Sequence, residues 1–247
     1  MSSRLRRRTA APLAAVLTAA LLLAACVSPP PSTSPAVTER PEVSPVIAPD
    51  LPELAATSLH RRAQSVTVRV RSLACTSLGV GSGFVLPDGV VVTNRHVIDQ
   101  PEAVSIDTWD GRRFRAEVTG VTADSDLAVL RIDEPNRLPT VELRDTPVEI
   151  GEPVLVVGYP AGGPVQVSEG EVLATVNGEV LGEPADVLRI GVAVQSGNSG
   201  GPVLDLDGRV VGVVFAEEVG RDTGLAVPVA TLLERLETDA FSPPAPC

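Results

Sequence analysis

Ser199 lies in a run of small residues, Gly197-Asn198-Ser199-Gly200-Gly201, that could present a serine hydroxyl as a nucleophile. Glycines permit a backbone with positive φ, and such a turn would expose the hydroxyl and aim the amides of Gly197 and Ser199 into one concavity, an oxyanion hole. The same string also occurs in a plain glycine-rich turn. Acyl transfer by Ser199 therefore requires a base, and an acid to orient it, elsewhere in the chain.

A general base must come from two histidines, because the sequence holds no others. His60 adjoins Arg61 and Arg62 beside a proline-rich stretch, and we expect it to be solvated. His96 follows the apolar run from Val90 to Thr93, where a loop could present the imidazole to a cleft. His96 is therefore the candidate base.

Two aspartates could orient that base. Asp124 and Asp126 both precede the apolar run from Leu127 to Leu130. Two residues apart on a strand they would share one face, so their spacing does not separate them.

Composition favours many short strands over long helices. Apolar residues make up 44% of the 247 residues and aromatic residues only 2%, while glycine (21) and proline (23) are frequent. Residues alternate between apolar and polar from Ser65 to Arg71, and Asp-Gly pairs at 88–89, 110–111 and 207–208 separate apolar runs as hairpin turns do. Only Val229 to Leu236 has a helical pattern. About a dozen strands indicate a sandwich or barrels, and disfavour an α/β-hydrolase esterase.

The first 57 residues have the composition of a targeting signal and a linker. Arginines and an apolar stretch end in Leu23-Ala24-Ala25-Cys26, which resembles a lipoprotein signal, so residues 1–25 are predicted to be removed and Cys26 to be lipidated. The proline-rich residues 26–57 are predicted to be a linker, 58–236 the folded domain and 237–247 a tail. An exported protein with two remaining cysteines, Cys75 and Cys247, is predicted to form a disulfide.

The charge of the chain excludes one class of partner. The formal charge is −11, and it becomes −15 without the four arginines of the signal. Such a surface repels phosphate backbones, so we expect no nucleic-acid binding.

Four motifs resemble chymotrypsin-like serine proteases of the HtrA/DegP branch, namely TNRHVI at His96, SDLAVL at Asp126, GNSGGPV at Ser199 and GLAVP at 224–228. The strands VVGYP and VVGVVF and a cysteine near each end are similar to the actinobacterial MarP-type branch. The resemblance implies an all-β fold of two six-stranded antiparallel β-barrels with a short C-terminal helix. It also implies that His96 is the base, Asp126 rather than Asp124 the orienting acid, and Ser199 the nucleophile.

The resemblance further implies a substrate pocket without an acid at its base, which would favour small or medium aliphatic side chains. Its lining would be Ala193, Val194, Phe215, Ala216 and Ala226. No metal or other cofactor is expected. Asn198 stands where digestive relatives have an aspartate, so activation by N-terminal cleavage is not expected. A PDZ domain after the protease domain is not expected either, because only 11 residues follow Leu236. Oligomeric state is left open.

These observations predict a serine endopeptidase that cuts proteins or peptides at the outer face of a bacterial cytoplasmic membrane, held there by the lipid on Cys26. A secreted or periplasmic location is the alternative. The alternative function is a catalytically silent binding or stress-sensing lipoprotein with the same fold.

Overall fold

The computed structural model describes residues 53–133, 137–178, 185–218 and 220–246. The predicted signal, Cys26, the linker up to residue 52, and Cys247 lie outside the described residues. No described helix is both long enough and apolar enough to cross a membrane.

The first β-barrel is closed and antiparallel, with the strand order β1-β2-β3-β6-β5-β4. Its strands are β1 (Thr67–Ala74), β2 (Leu78–Val85), β3 (Val90–Asn94), β4 (Pro101–Thr108), β5 (Arg113–Val121) and β6 (Leu127–Ile132).

The second barrel is also closed and antiparallel, in the order β10-β11-β12-β9-β8-β7. Its strands are β7 (Pro153–Gly158), β8 (Gln166–Val176), β9 (Val187–Ile190), β10 (Pro202–Leu204), β11 (Val210–Glu217) and β12 (Gly224–Pro228). The prediction of two six-stranded antiparallel barrels is confirmed.

The three Asp-Gly pairs form the tight turns that the sequence predicted. They join β2 to β3, β4 to β5 and β10 to β11. Their glycines, Gly89, Gly111 and Gly208, have φ of 72°, 85° and 80°, a region that residues with a Cβ adopt at a cost. Each pair therefore fixes the register of its hairpin.

Apolar side chains form three clusters, one inside each barrel and one between the barrels. The cluster between the barrels joins Phe84 and Val92 of the first barrel to Leu155 and Val213 of the second. All four side chains are at most 1% exposed. This apolar contact holds the two barrels at a fixed distance.

Helix α1 (Glu53–Val66) was not predicted. The expectation that only the C-terminal segment is helical is wrong, because Leu59, Ala63 and Val66 recur at helical spacing and pack on the cluster between the barrels. The helix begins within the predicted linker. His60 lies in it, with Nε2 2.9 Å from Glu169 Oε1 and its side chain only 32% exposed, so it is not solvated as expected.

The C-terminal helix α2 (Val229–Glu237) was predicted and is present. It buries Val229 and Leu232 against the cluster between the barrels. The chain then returns to the first barrel, where Ser242 and Val121 exchange backbone hydrogen bonds of 2.9 and 2.8 Å. The tail is thus attached to β5.

Asp107 is surrounded by three arginines of the first barrel. Its carboxylate is buried and accepts hydrogen bonds from Arg69, Arg71 and Arg113, with the shortest N–O distance from each arginine between 2.6 and 3.0 Å. Burial raises the pKa of Asp107, but the bonds from Arg113, Arg71 and Arg69 outweigh it and lower the pKa to about 2. Arg69 also donates to the Gly162 carbonyl at 2.7 Å, which connects this cluster to the second barrel.

We predict that Asp107→Asn destabilises the protein at neutral pH and that the difference from wild type shrinks in acid. The pKa of Asp107 is depressed in the folded protein, so its contribution, about 2 kcal/mol, is present above pH 4 and is lost as pH falls toward 2. Urea unfolding between pH 2 and 7 measures the effect. Asp222→Asn, at an exposed carboxylate, is the control. A difference between Asp107→Asn and wild type that does not vary with pH would contradict the prediction.

Candidate active site

His96 and Asp126 are held together by two hydrogen bonds. His96 lies in a short 3-10 turn (Arg95–Ile98) directly after β3. Its Nδ1 is 2.6 Å from Asp126 Oδ2, and its backbone amide donates to Asp126 Oδ1 at 3.0 Å. The imidazole is 49% exposed and the carboxylate 14%, so the ring edge that carries Nε2 is open to a ligand.

Asp126 has the left-handed backbone that places its carboxylate under His96. Its φ is +49°, which Asp and Asn adopt more readily than most residues. The Asp126 carbonyl accepts from Asn94 Nδ2 at 2.9 Å and from the Arg95 amide at 3.1 Å. These bonds stabilise a conformation that would otherwise be strained.

Asp124 has a different partner. Its Oδ2 is 3.1 Å from Arg235 of α2, and its side chain is half exposed. The expectation that Asp124 and Asp126 share a strand face is wrong, because β6 begins only at Leu127 and both residues lie in the preceding loop. The tertiary structure thus separates two aspartates that their spacing could not.

Ser199 lies in the loop between β9 and β10. The flanking glycines Gly197 and Gly200 have φ of +98° and +85°. A Cβ on Gly200 would lie 2.1 Å from the Ser82 carbonyl oxygen, and one on Gly197 would lie 2.3 Å from that of Tyr159. Glycine is therefore required at both positions by conformation and by space.

The Ser199 hydroxyl donates to the Phe215 carbonyl oxygen at 3.4 Å. Among the hydrogen bonds of the described residues, it makes none with His96. Phe215 lies at a bulge of β11, where the pairing with β12 shifts register. The Ser199 hydroxyl is thus bonded to the backbone of β11 and not to the imidazole.

Two amides beside Ser199 are oriented by their own peptide groups. The Ser196 carbonyl accepts from the Ala161 amide at 2.7 Å, and the Asn198 carbonyl accepts from Gly201 at 2.9 Å. In a trans peptide the C=O and the following N–H point in opposite directions, so the amides of Gly197 and Ser199 point away from these partners. Neither amide donates to a protein acceptor within the described residues.

The five predicted pocket residues differ in exposure. Val194 and Ala226 are 6% and 0% exposed and pack in the core of the second barrel, Phe215 and Ala216 are half-buried, and Ala193 is exposed.

Of the two acids that follow Ala216, only Glu217 is exposed without an ion pair in the described structure. Glu218 accepts two hydrogen bonds of 2.8 Å from Arg189 and one from Thr223, which lower its pKa.

Sequence reasoning missed Ser82 and Tyr159. Ser82 is fully buried in β2, and its hydroxyl contacts the Gly197 carbonyl and the Tyr159 amide. The run Gly81-Ser82-Gly83 could have indicated this contact, because glycines inside a strand often mark a site where another backbone approaches closely. A Cβ on Gly81 would indeed lie 2.9 Å from the Ser199 carbonyl oxygen.

Comparison with known proteins gives a family match and solved relatives. A model of the trypsin-like peptidase domain matches residues 81–213. Serine protease Rv3671c of Mycobacterium tuberculosis is 32% identical over 215 residues, covering 82% of this chain and 53% of that protein. A probable periplasmic DegP-like serine endoprotease of Halomonas elongata is 33% identical over 165 residues, covering 63% and 34%. The chain therefore spans about a third to a half of the length of these relatives.

Solved structures agree with the sequence matches. The active form of Rv3671c protease superposes with a TM-score of 0.70 at 29% identity, covering 89% of this chain and 96% of that one. The HtrA-type protease AlgW, crystallised with a tripeptide, gives 0.68 at 28% identity, covering 74% and 63%. With more than half of its residues matched by the family model and both barrels reproduced in these structures, the chain belongs to the trypsin-like peptidase family and is homologous to the HtrA/DegP and Rv3671c serine proteases.

Proposed function

We propose that the protein is a serine endopeptidase that uses His96, Asp126 and Ser199 as a catalytic triad. The observation that carries the proposal is the His96–Asp126 pair, in which one carboxylate binds both the ring Nδ1 and the backbone amide of the same histidine. Such a pair keeps the proton on Nδ1 and leaves the Nε2 lone pair free to act as a base.

Catalysis then requires the Ser199 hydroxyl to turn from the Phe215 carbonyl to His96 Nε2. His96 accepts the hydroxyl proton as Oγ attacks the peptide carbonyl. The amides of Gly197 and Ser199 stabilise the oxyanion of the tetrahedral intermediate, and His96 returns the proton to the leaving amine. Water, deprotonated by His96, then hydrolyses the acyl-enzyme and regenerates the serine.

Residues 1–26 support export of this enzyme. The signal-like residues 1–25 and the predicted lipidation site Cys26 are consistent with relatives that are named periplasmic. We propose that lipidated Cys26 holds the domain at the outer face of the cytoplasmic membrane by the linker 26–57, with the enzyme domain at 58–236.

A disulfide between Cys75 and Cys247 is part of the same proposal. Cys75 is exposed, and its Sγ is 3.6 Å from Gln100 Oε1. Pro244 of the tail lines a cavity of about 480 Å³ together with Pro101, the neighbour of Gln100. The three residues after Pro244 can span roughly 10 Å, which supports a bridge from the tail to the β1–β2 turn.

We predict that a fluorophosphonate probe labels the wild-type protein and does not label Ser199→Ala. The probe reacts only with a serine that a neighbouring base activates. In-gel fluorescence and mass spectrometry of the labelled peptide measure the outcome. Unlabelled wild type would favour the alternative, a binding protein that keeps the fold without the activity. Equal labelling of Ser199→Ala would place the nucleophile elsewhere.

Substituting Asp124 and Asp126 one at a time tests which of them orients His96. Asp126→Asn keeps the size and the tolerance of positive φ, but its amide would donate to His96 Nδ1 and force the proton onto Nε2. We predict a loss of kcat on the order of 10⁴. Asp124→Asn removes only a half-exposed ion pair with Arg235, so it should keep kcat within about threefold. Peptide hydrolysis by both variants is the measurement, and the reverse ranking would contradict the assignment.

The pocket proposed from Ala193, Val194, Phe215, Ala216 and Ala226 predicts preference for small or medium aliphatic residues before the cleaved bond. Profiling with a peptide library should give Val, Ala or Leu an advantage over Arg of about 10- to 200-fold in kcat/KM. Ala216→Val should narrow the pocket and lower kcat/KM for Leu more than for Ala. A preference for Arg or Lys would contradict this pocket.

A further inference from the structure

Ser82 joins the two barrels through one buried hydroxyl. The residue lies in β2 of the first barrel and is fully buried. Its Oγ donates to the Gly197 carbonyl oxygen at 2.6 Å and accepts from the Tyr159 amide at 2.9 Å. Both partners belong to the second barrel, so a single hydroxyl crosses the interface and satisfies two backbone groups there.

The backbone of Ser82 makes one hydrogen bond to the serine loop and one to β3 of its own barrel. Its amide donates to the Ser199 carbonyl at 2.7 Å, and its carbonyl accepts from Thr93 Oγ1 at 2.7 Å. Thr93 lies in β3, three residues before His96. Ser82 therefore connects the loop that carries the nucleophile to the strand that leads to the base.

Four consecutive carbonyls of the serine loop each have a partner, and Ser82 supplies two of them. The acceptors Ser196, Gly197, Asn198 and Ser199 are bound in turn by Ala161 N, Ser82 Oγ, Gly201 N and Ser82 N. Because each peptide is planar, fixing its carbonyl fixes the N–H on the other side. Ser82 thus holds the Gly197–Asn198 and Ser199–Gly200 peptides. These flank the Asn198–Ser199 peptide, whose N–H is one of the two proposed oxyanion donors.

The side chain of Ser82 lies close to two glycines of the second barrel, Gly158 and Gly201. A Cβ on Gly158 would lie 3.0 Å from Ser82 Oγ, and one on Gly201 would lie 3.3 Å from Ser82 Cβ. Removal of the hydroxyl would leave the Gly197 carbonyl without its side-chain donor next to a glycine with φ of +98°. Glycine opposes peptide rotation weakly, so the loop could then turn its amides away from the oxyanion.

We propose that Ser82 is a positioning residue for the oxyanion hole, which it holds from the opposite barrel through the Gly197 and Ser199 carbonyls. The proposal rests on the peptidase function proposed above. Ser82 acts through the backbone of the serine loop, and in the described structure its hydroxyl makes no hydrogen bond with that of Ser199.

Ser72 provides a matched control, because it is a buried serine of the same barrel, 1% exposed, whose hydroxyl has no hydrogen-bond partner in the described structure. Ser72→Ala and Ser82→Ala delete the same atom at equally buried sites. Only the second deletion removes the hydrogen bond to the Gly197 carbonyl of the serine loop, together with the bond from the Tyr159 amide.

Steady-state kinetics on a peptide substrate, normalised to serines titrated by the fluorophosphonate, give the first test. Ser82→Ala should lower kcat by 10- to 100-fold with KM within threefold of wild type, because the oxyanion forms only in the transition state. Its affinity for a peptide boronate should fall in parallel with kcat. Ser72→Ala should keep both values. Equal effects of the two substitutions, or a change in KM alone, would overturn the proposal.

Amide hydrogen exchange followed by NMR gives a second test that does not need activity. Exchange of the Asn198 and Gly201 amides should be at least tenfold faster in Ser82→Ala than in wild type or Ser72→Ala, under conditions where circular dichroism shows all three folded. Unchanged exchange would overturn the positioning role. If wild type is inactive while Ser82→Ala still speeds exchange, the peptidase proposal fails and the structural role of Ser82 stands.

Discussion

His96 and Ser199, the proposed base and nucleophile, lie in different barrels, so their distance depends on how the two barrels pack. His96 and Asp126 belong to loops of the first barrel, and Ser199 belongs to a loop of the second. Apolar contact through Phe84, Val92, Leu155 and Val213 attracts the two barrels to each other, but this attraction is not directional. The hydrogen bonds of Ser82 to Gly197 and Ser199 add direction, because they tolerate little displacement of either partner.

Close approach of two backbones explains why glycines are concentrated at this interface. A Cβ on Gly81 of the first barrel would lie 2.9 Å from the Ser199 carbonyl oxygen, and one on Gly200 of the second barrel would lie 2.1 Å from that of Ser82. Gly200 has φ of +85°, so the glycine that allows positive φ also allows the two barrels to meet. Conformation and packing select the same residue type, which is why the GNSGG run is so recognisable.

Charge contributes at the edge of the same interface. Arg69 bonds to Asp107 and to the Gly162 carbonyl, and its guanidinium lies 5.5 Å from the centre of the Tyr159 ring. The Tyr159 turn also supplies the Ala161 amide that binds Ser196. Through Arg69, the buried Asp107 carboxylate thus stabilises the turn that follows Tyr159. In the same turn the Ala161 amide binds the Ser196 carbonyl and so orients the Gly197 amide. Stability of the first barrel and geometry of the serine loop are connected through this turn.

Local features of this protein could be predicted from the sequence: the Asp-Gly turns, the alternating strands, the glycine-rich serine loop and His96 as the candidate base. These depend on backbone conformation and side-chain type, which neighbours along the chain specify. Barrel closure, the partner of His96 and the role of Ser82 depend on residues 30 to 117 positions apart. Their spacing predicted that Asp124 and Asp126 share one strand face. Both instead lie in the loop before β6, where Asp124 pairs with Arg235 and Asp126, with its positive φ, binds His96. Helix α1 was missed because its apolar residues gain their stability from the cluster between the barrels, a surface that exists only after both barrels have formed.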